Sequence, residues 1–135
     1  MTLQYTHCDP SQQKLANKFY KKFKTNVSCN LADQVFVILT EEGEVIAALF
    51  FRSIDNGPEY LLRSLFVAPE YRGMGVAKTL CRLALQTHNQ ACFTLCEQEL
   101  IRFYQALGFA HSTRVFPSPG IEKQIKKGLR LMRRP

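Results

Sequence analysis

The chain has 135 residues, 46% hydrophobic and 21% charged, with a formal charge of +7. That length closes one core without metal or disulfide staples, and no run approaches the roughly 18 consecutive apolar residues of a membrane-crossing helix. The opening MTLQYTHCDP lacks a secretory pattern, and Cys8, Cys29, Cys81, Cys92 and Cys96 have no CxxC or Cys/His metal spacing. A cytoplasmic protein with reduced thiols and no metal is expected.

No repeat, low-complexity tract or linker divides the sequence, so residues 1–135 read as a single domain. LQYTH alternates like a short first strand. In DPSQQ, Asp9 suits a helix N-cap, with Pro10 at the first position and Gln12 completing a capping box. Leu15, Phe19 and Phe23 recur at four-residue spacing and predict one apolar helix face. Residues 24–32 are polar and read as a loop with at most a short helical turn. QVFVILT and EVIAALFFRSI, separated by EEG, predict a hairpin.

NGP turns the chain at residues 56–58, and EYLLRSLFV makes a third strand in succession. GVAKTLCRLALQTH places Val76, Leu80, Leu83 and Ala84 on one helical face. ACFTLC reads as a short buried strand. EQELIRFYQALGF reads as a helix with Leu100, Phe103 and Leu107 inward and Gly108 as its C-cap glycine. AHSTRVF and KKGLRLMRR then read as closing strands around the loop PSPG. The order β-α-β-β-β-α-β-α-β-β is an α/β domain with a mixed, mostly antiparallel sheet flanked by helices.

The positive charge is concentrated late, with Lys123, Lys126, Lys127, Arg130, Arg133 and Arg134 against Glu122 alone. Aromatic residues are not interleaved there as a base-stacking platform requires. A solvated basic strand edge is therefore the better reading than a nucleic-acid surface.

The stretch YRGMGVAKT, between a predicted strand and a predicted helix, is the main chemical signal. A Walker loop fails, since Ala77 precedes Lys78-Thr79 and Arg72 stands where the first glycine belongs. A dinucleotide fingerprint finds only Gly73 and Gly75 of its three glycines, after an antiparallel hairpin rather than at the start of a βαβ unit. A turn into a helix N-terminus fits better. Its first N–H groups lack helical partners and point at whatever lies beyond the helix. Small residues at Gly73 and Gly75 would let a pyrophosphate reach them, with Arg72 setting the turn and adding charge.

The pattern Arg72-x-x-Gly75-x-Ala77, preceded by Val67-x-Pro69-x-Tyr71, resembles the acetyl-CoA signature of the GNAT acetyltransferase superfamily. LIRFYQALGF, residues 100–109, resembles that family's Phe-Tyr-x-x-x-Gly-Phe segment. The resemblance implies a single-domain GNAT-like fold and acetyl-CoA as co-substrate. It implies that the backbone of Phe66 and Val67 pairs with the pantetheine arm, and that Arg72, Gly73, Met74, Gly75, Val76 and Ala77 hold the pyrophosphate. Lys78 or Arg82 would lie near the nucleotide phosphate, and Tyr104 near the thioester sulfur.

The chemistry so implied is direct attack of an amine on an acetyl thioester, with two reactants held in line and Tyr104 protonating the departing thiolate. A glutamate that the family often carries on the strand before the turn is missing, since Arg63 and Ser64 stand there. Glu59, Glu97 or water are left as the base. Cys96 as a covalent nucleophile is the weaker route, because free cysteines are mostly buried hydrophobes. His7, His88 and His111 are scattered without instructive partners.

The acceptor is a primary amine of a small molecule, peptide or protein. The positive field favours a carboxylate-bearing acceptor over a polyamine. The alternative is an acyl-CoA sensor, or an RNA- or ribosome-associated module, without turnover. No membrane partner is expected, and a monomer or homodimer is.

Overall fold

The structure is a computed structural model that describes residues 2–135. Its backbone hydrogen bonds link seven strands in the order β1-β2-β3-β4-β5-β7-β6. Four helices complete an α/β fold with a mixed sheet, as the sequence pattern implies. Contacts group the chain into two compact units: residues up to Phe51 with Ser64–His88, and Arg52–Arg63 with Asn89–Pro135.

In the first unit, β1 (Leu3–His7) pairs antiparallel with β2 (Gln34–Thr40), and β2 with β3 (Val45–Ser53). Helix α1 (Pro10–Lys22) starts on the expected capping box. Asp9 Oδ1 accepts from the Gln12 amide at 2.9 Å, while Gln12 Oε1 accepts from the Asp9 amide at 2.8 Å. Its buried face, however, is Gln13, Ala16, Phe19 and Tyr20, and Leu15 is 41% exposed. Steps of four residues turn about 40° past a full circle, so a 15-19-23 stripe winds off the core, whereas mixed steps of three and four stay on it.

Helix α1 packs on Val35, Val37, Ala48 and Phe50. Helix α2 (Val76–His88) brings His88 flat against Phe51, centroids 4.2 Å apart, with Nδ1 2.9 Å from Gln34 Oε1. Alternate residues of a strand face opposite sides, so the two helices cover opposite faces of the hairpin. That explains why Val45–Phe51 of β3 is buried without alternation.

In the second unit, the start of β4 (Tyr60–Val67) pairs parallel with β5 (Cys92–Cys96), from Tyr60↔Cys92 to Leu62↔Thr94. Next come β7 (Arg130–Arg134) and β6 (Ala110–His111), both antiparallel. Ile54, Phe93, Phe116, Ile121 and Leu131 form the core.

The C-terminal expectations need correction. AHSTRVF contributes only two strand residues, and helix α4 (Pro119–Lys126) begins inside the expected PSPG loop, at Pro119, and continues into the following chain. Pro119 stands at a helix's first turn, where its missing N–H costs nothing, and Ile121 and Ile125 share one face toward the core. Gly128, at φ +104°, closes the helix. Its amide reaches the Ile125 carbonyl and Leu129 reaches that of Gln124, a Schellman pair. In the α3 segment (Ile101–Gln105), Leu107 is buried as expected, but Leu100 is 44% exposed.

Burial holds the His88 imidazole below its ordinary range. The unfolded chain therefore takes up this proton more readily than the folded one. Stability from His88 is complete above about pH 6.5 and is lost as pH falls below it. Urea unfolding at several pH values should show wild-type stability declining through this window and a flatter profile for His88→Gln. Equal slopes in the two proteins would contradict this.

Candidate active site

After Val67, a 3₁₀ turn at Pro69–Tyr71 leads into Gly73 and Gly75, at φ +80° and +78°. Residues with a Cβ pay for this left-handed conformation, and glycine does not. A Cβ built on either glycine would meet nothing within 4 Å, so the space beside both is open. The first bond of the α2 ladder runs from the Thr79 amide to the Gly75 carbonyl at 3.1 Å. Amides from Gly75 to Lys78 thus precede the ladder and carry the positive end of the helix dipole. Val76 is buried and Met74 is 56% exposed.

The Arg72 side chain is built into this turn. Its Nε donates to the Val67 carbonyl at 2.9 Å, and its guanidinium lies 5.1 Å from the Phe66 ring centre. The side chain folds back on the end of β4 and ties the turn to Phe66 and Val67. Lys78 and Arg82 lie one helical turn apart, both exposed.

A feature the sequence did not disclose lies just upstream. Ser64 sits in the middle of β4 at φ +61°, where a strand residue is normally extended. The fully buried Tyr20 of α1 donates its hydroxyl to the Ser64 carbonyl at 2.8 Å. The register with β5 ends two residues earlier, at Leu62. A phenol on the buried stripe of α1 is the one available signal, since a buried tyrosine hydroxyl needs an acceptor. Nothing local marks Ser64 itself.

In the second unit, Tyr104 is 4% exposed and packs edge-on against Phe103 and Phe109, at 5.1 and 5.5 Å. Its carbonyl accepts from the Phe109 amide and that of Gln105 from Gly108, with Gly108 at φ +97°. This cap fixes the spacing of Tyr104 and Phe109 seen in the FYQALGF string.

Glu59 is held by Arg114, whose two guanidinium nitrogens donate to its oxygens at 2.7 and 2.6 Å. Arg114 also lies 5.0 Å from the Phe116 ring centre. Glu97 is exposed at the end of β5. Cys96 is 3% exposed, 3.6 Å from the Met132 sulfur, and burial raises its thiol, which opposes a thiolate nucleophile. Among the described residues, no group of three His, Cys, Asp or Glu is placed to hold a metal, and no helix is long and apolar enough to cross a membrane.

The sequence matches a family model for the acetyltransferase (GNAT) family over residues 2–109. No curated protein matches it. Among solved structures, the fold is similar to Escherichia coli ElaA at 19% identity and TM-score 0.68, covering 99% of each chain. It is also similar to the Escherichia coli ribosomal-protein-S18-alanine N-acetyltransferase at 16% identity and TM-score 0.67, covering 99% of this chain and 94% of that one. A third similarity is to N-acetylglutamate synthase from Neisseria gonorrhoeae, complexed with coenzyme A and N-acetyl-glutamate. There the identity is 10% and the TM-score 0.66, over 99% of this chain and 35% of that one. Identities this low speak to the fold, whereas the family match spans most of the sequence: the chain belongs to the GNAT acetyltransferase family.

Proposed function

We propose that the chain transfers an acetyl group from acetyl-CoA to a primary amine of a small molecule, peptide or protein by direct attack. The observation that carries this reading is the turn at Gly73 and Gly75, left-handed, open on its outer side and feeding a 13-residue helix. Its amides from Gly73 to Ala77 suit a pyrophosphate in charge and geometry, while the Arg72 amide, which donates to the Pro69 carbonyl at 3.3 Å, would have to leave that bond to join them. The backbone of Phe66 and Val67 is assigned to the pantetheine arm, and Tyr20, by holding Ser64, positions that part of β4. Acetyl-CoA supplies an activated acyl group, and the protein's main contribution is alignment.

Tyr104 is assigned as the proton donor to the departing thiolate. Both oxygens of Glu59 are engaged by Arg114, which leaves Glu97 or water to take the amine proton. That engagement is also what favours the second reading, an acyl-CoA-binding module without turnover.

Coenzyme A release is measurable with a thiol reagent despite the five cysteines. All five are buried, and burial pushes Cys8 and Cys92 up to about 12. The native protein should react slowly with such a reagent and fully once unfolded. Release that requires an added amine from a broad panel supports the enzyme, and acetyl-CoA binding with no release on any amine supports the sensor.

Acetyl-CoA should raise the melting temperature, as any ligand of the native state does. Gly75→Asn and Gly75→Asp share one shape and one backbone strain, about 1–2 kcal/mol. The aspartate should abolish the acetyl-CoA shift while the asparagine retains part of it. Equal shifts in the two variants would show that no anion lies there.

Tyr104→Phe keeps the ring and should lower turnover about 10²-fold with acetyl-CoA affinity little changed. A purely structural tyrosine would instead lose about 1 kcal/mol of stability at full turnover.

A further inference from the structure

Residues 10–32 carry Lys14, Lys18, Lys21, Lys22 and Lys24 and not one aspartate or glutamate. This is a second concentration of charge, apart from the C-terminal one. Two adjoining grooves in the first unit use four of these lysines. In one, of about 490 Å³, Leu15, Phe19 and Val45 are bordered by Lys18, Lys21 and Lys22. The other is lined by Asn17, Lys21, Lys24 and Asn26, and shares Lys21 with the first.

The helix dipole accounts for basic residues only in the last turn of α1, which holds Lys21 and Lys22. Lys14 and Lys18 lie earlier. Leu15, Lys18 and Lys22 follow one another at spacings of three and four, beside the buried stripe, and face Glu44 and Val45 of the hairpin. Lys22 Nζ lies 3.5 Å from Glu44 Oε1, with both side chains more than half exposed (63% and 61%). Glu44 is thus a carboxylate placed beside an apolar lining and a lysine, and the only acid lining either groove. An exposed pair of this kind is worth little, so an incoming carboxylate competes readily.

The occupant must be anionic and carry a small apolar group. Single-stranded nucleic acid asks for exposed aromatic or guanidinium faces, and residues 10–32 contain no arginine. Phe19 is 4% exposed, and the half-buried Phe23 has Lys22 Nζ over its ring at 5.5 Å. A bilayer asks for a broad apolar stripe, and on α1 Leu15 is the one large apolar side chain exposed. We propose that this face of α1 docks an acidic peptide segment of a partner protein. An aliphatic side chain lies against Leu15 and Val45, and carboxylates meet Lys18, Lys21 and Lys22. The inference does not depend on acetyl transfer.

The test uses the full chain and a lysine-free, N-terminally acetylated peptide of alternating glutamate and leucine, which offers no amine to acetylate. Binding is read by fluorescence anisotropy. The expected result is binding that weakens with salt and falls at least about tenfold with glutamine for glutamate, or with Lys18→Glu/Lys22→Glu. Leu15→Ser should also weaken it, and Lys126→Glu/Lys127→Glu should leave it unchanged. Lys18→Gln/Lys22→Gln, with an unaltered melting temperature, carries the test if the charge reversal does not fold. No binding, or equal loss with the C-terminal reversal, would overturn the proposal. So would single-stranded RNA of equal charge binding as tightly through the same lysines.

Discussion

The chain leaves β4 and enters α2 through two left-handed residues separated by one, and the proposed chemistry depends on that passage. Gly73 and Gly75 set where the helical ladder begins, and so which amides lie outside it. The Arg72–Val67 bond fixes the turn to the strand that precedes it. A side chain at either glycine would find free space but an unfavourable backbone. The requirement for glycine here is conformational first, and openness to a ligand follows from the same geometry.

The strand before the turn is shaped as deliberately. Ser64 holds a conformation that costs free energy in a strand, and the hydroxyl of Tyr20 satisfies its carbonyl inside the core. Helix α1 therefore does more than cover one face of the hairpin. Its buried stripe reaches the backbone of β4, while its outer strip carries lysines beside two grooves. One helix thus serves packing and backbone positioning through its buried face and carries charge on the outer one, and helical periodicity separates the two.

Most of the framework was legible because its signals are local. The capping box at Asp9, the hairpin around Gly43, the strand-to-helix glycines and the Gly108 cap each depend on a few neighbouring residues whose stereochemistry leaves little choice. The losses have physical causes too. Pro119 and Gly120 look like loop punctuation in the sequence, although proline opens helices as well as breaking them; the packing of Ile121 and Ile125 against the core decides the matter. Leu15 was assigned to the core by a four-residue rhythm that the helix does not keep. The Arg114–Glu59 pair spans 55 residues, and the bend at Ser64 depends on a tyrosine 44 residues away. Pattern reading has no access to either. For the site, the left-handed glycine turn was legible, but not that Arg72 would fold back onto β4.

The central claim is that backbone amides at the start of α2 hold the pyrophosphate of coenzyme A. Amide-resolved NMR during a coenzyme A titration addresses it directly, with no acceptor amine required. The account predicts that the largest shifts fall on Gly73, Gly75, Val76 and Ala77, with smaller ones on Phe66 and Val67. It further predicts that pyrophosphate alone reproduces the shifts at the turn but not those on β4. Saturable binding of coenzyme A that leaves the Arg72–Ala77 amides unmoved would contradict it.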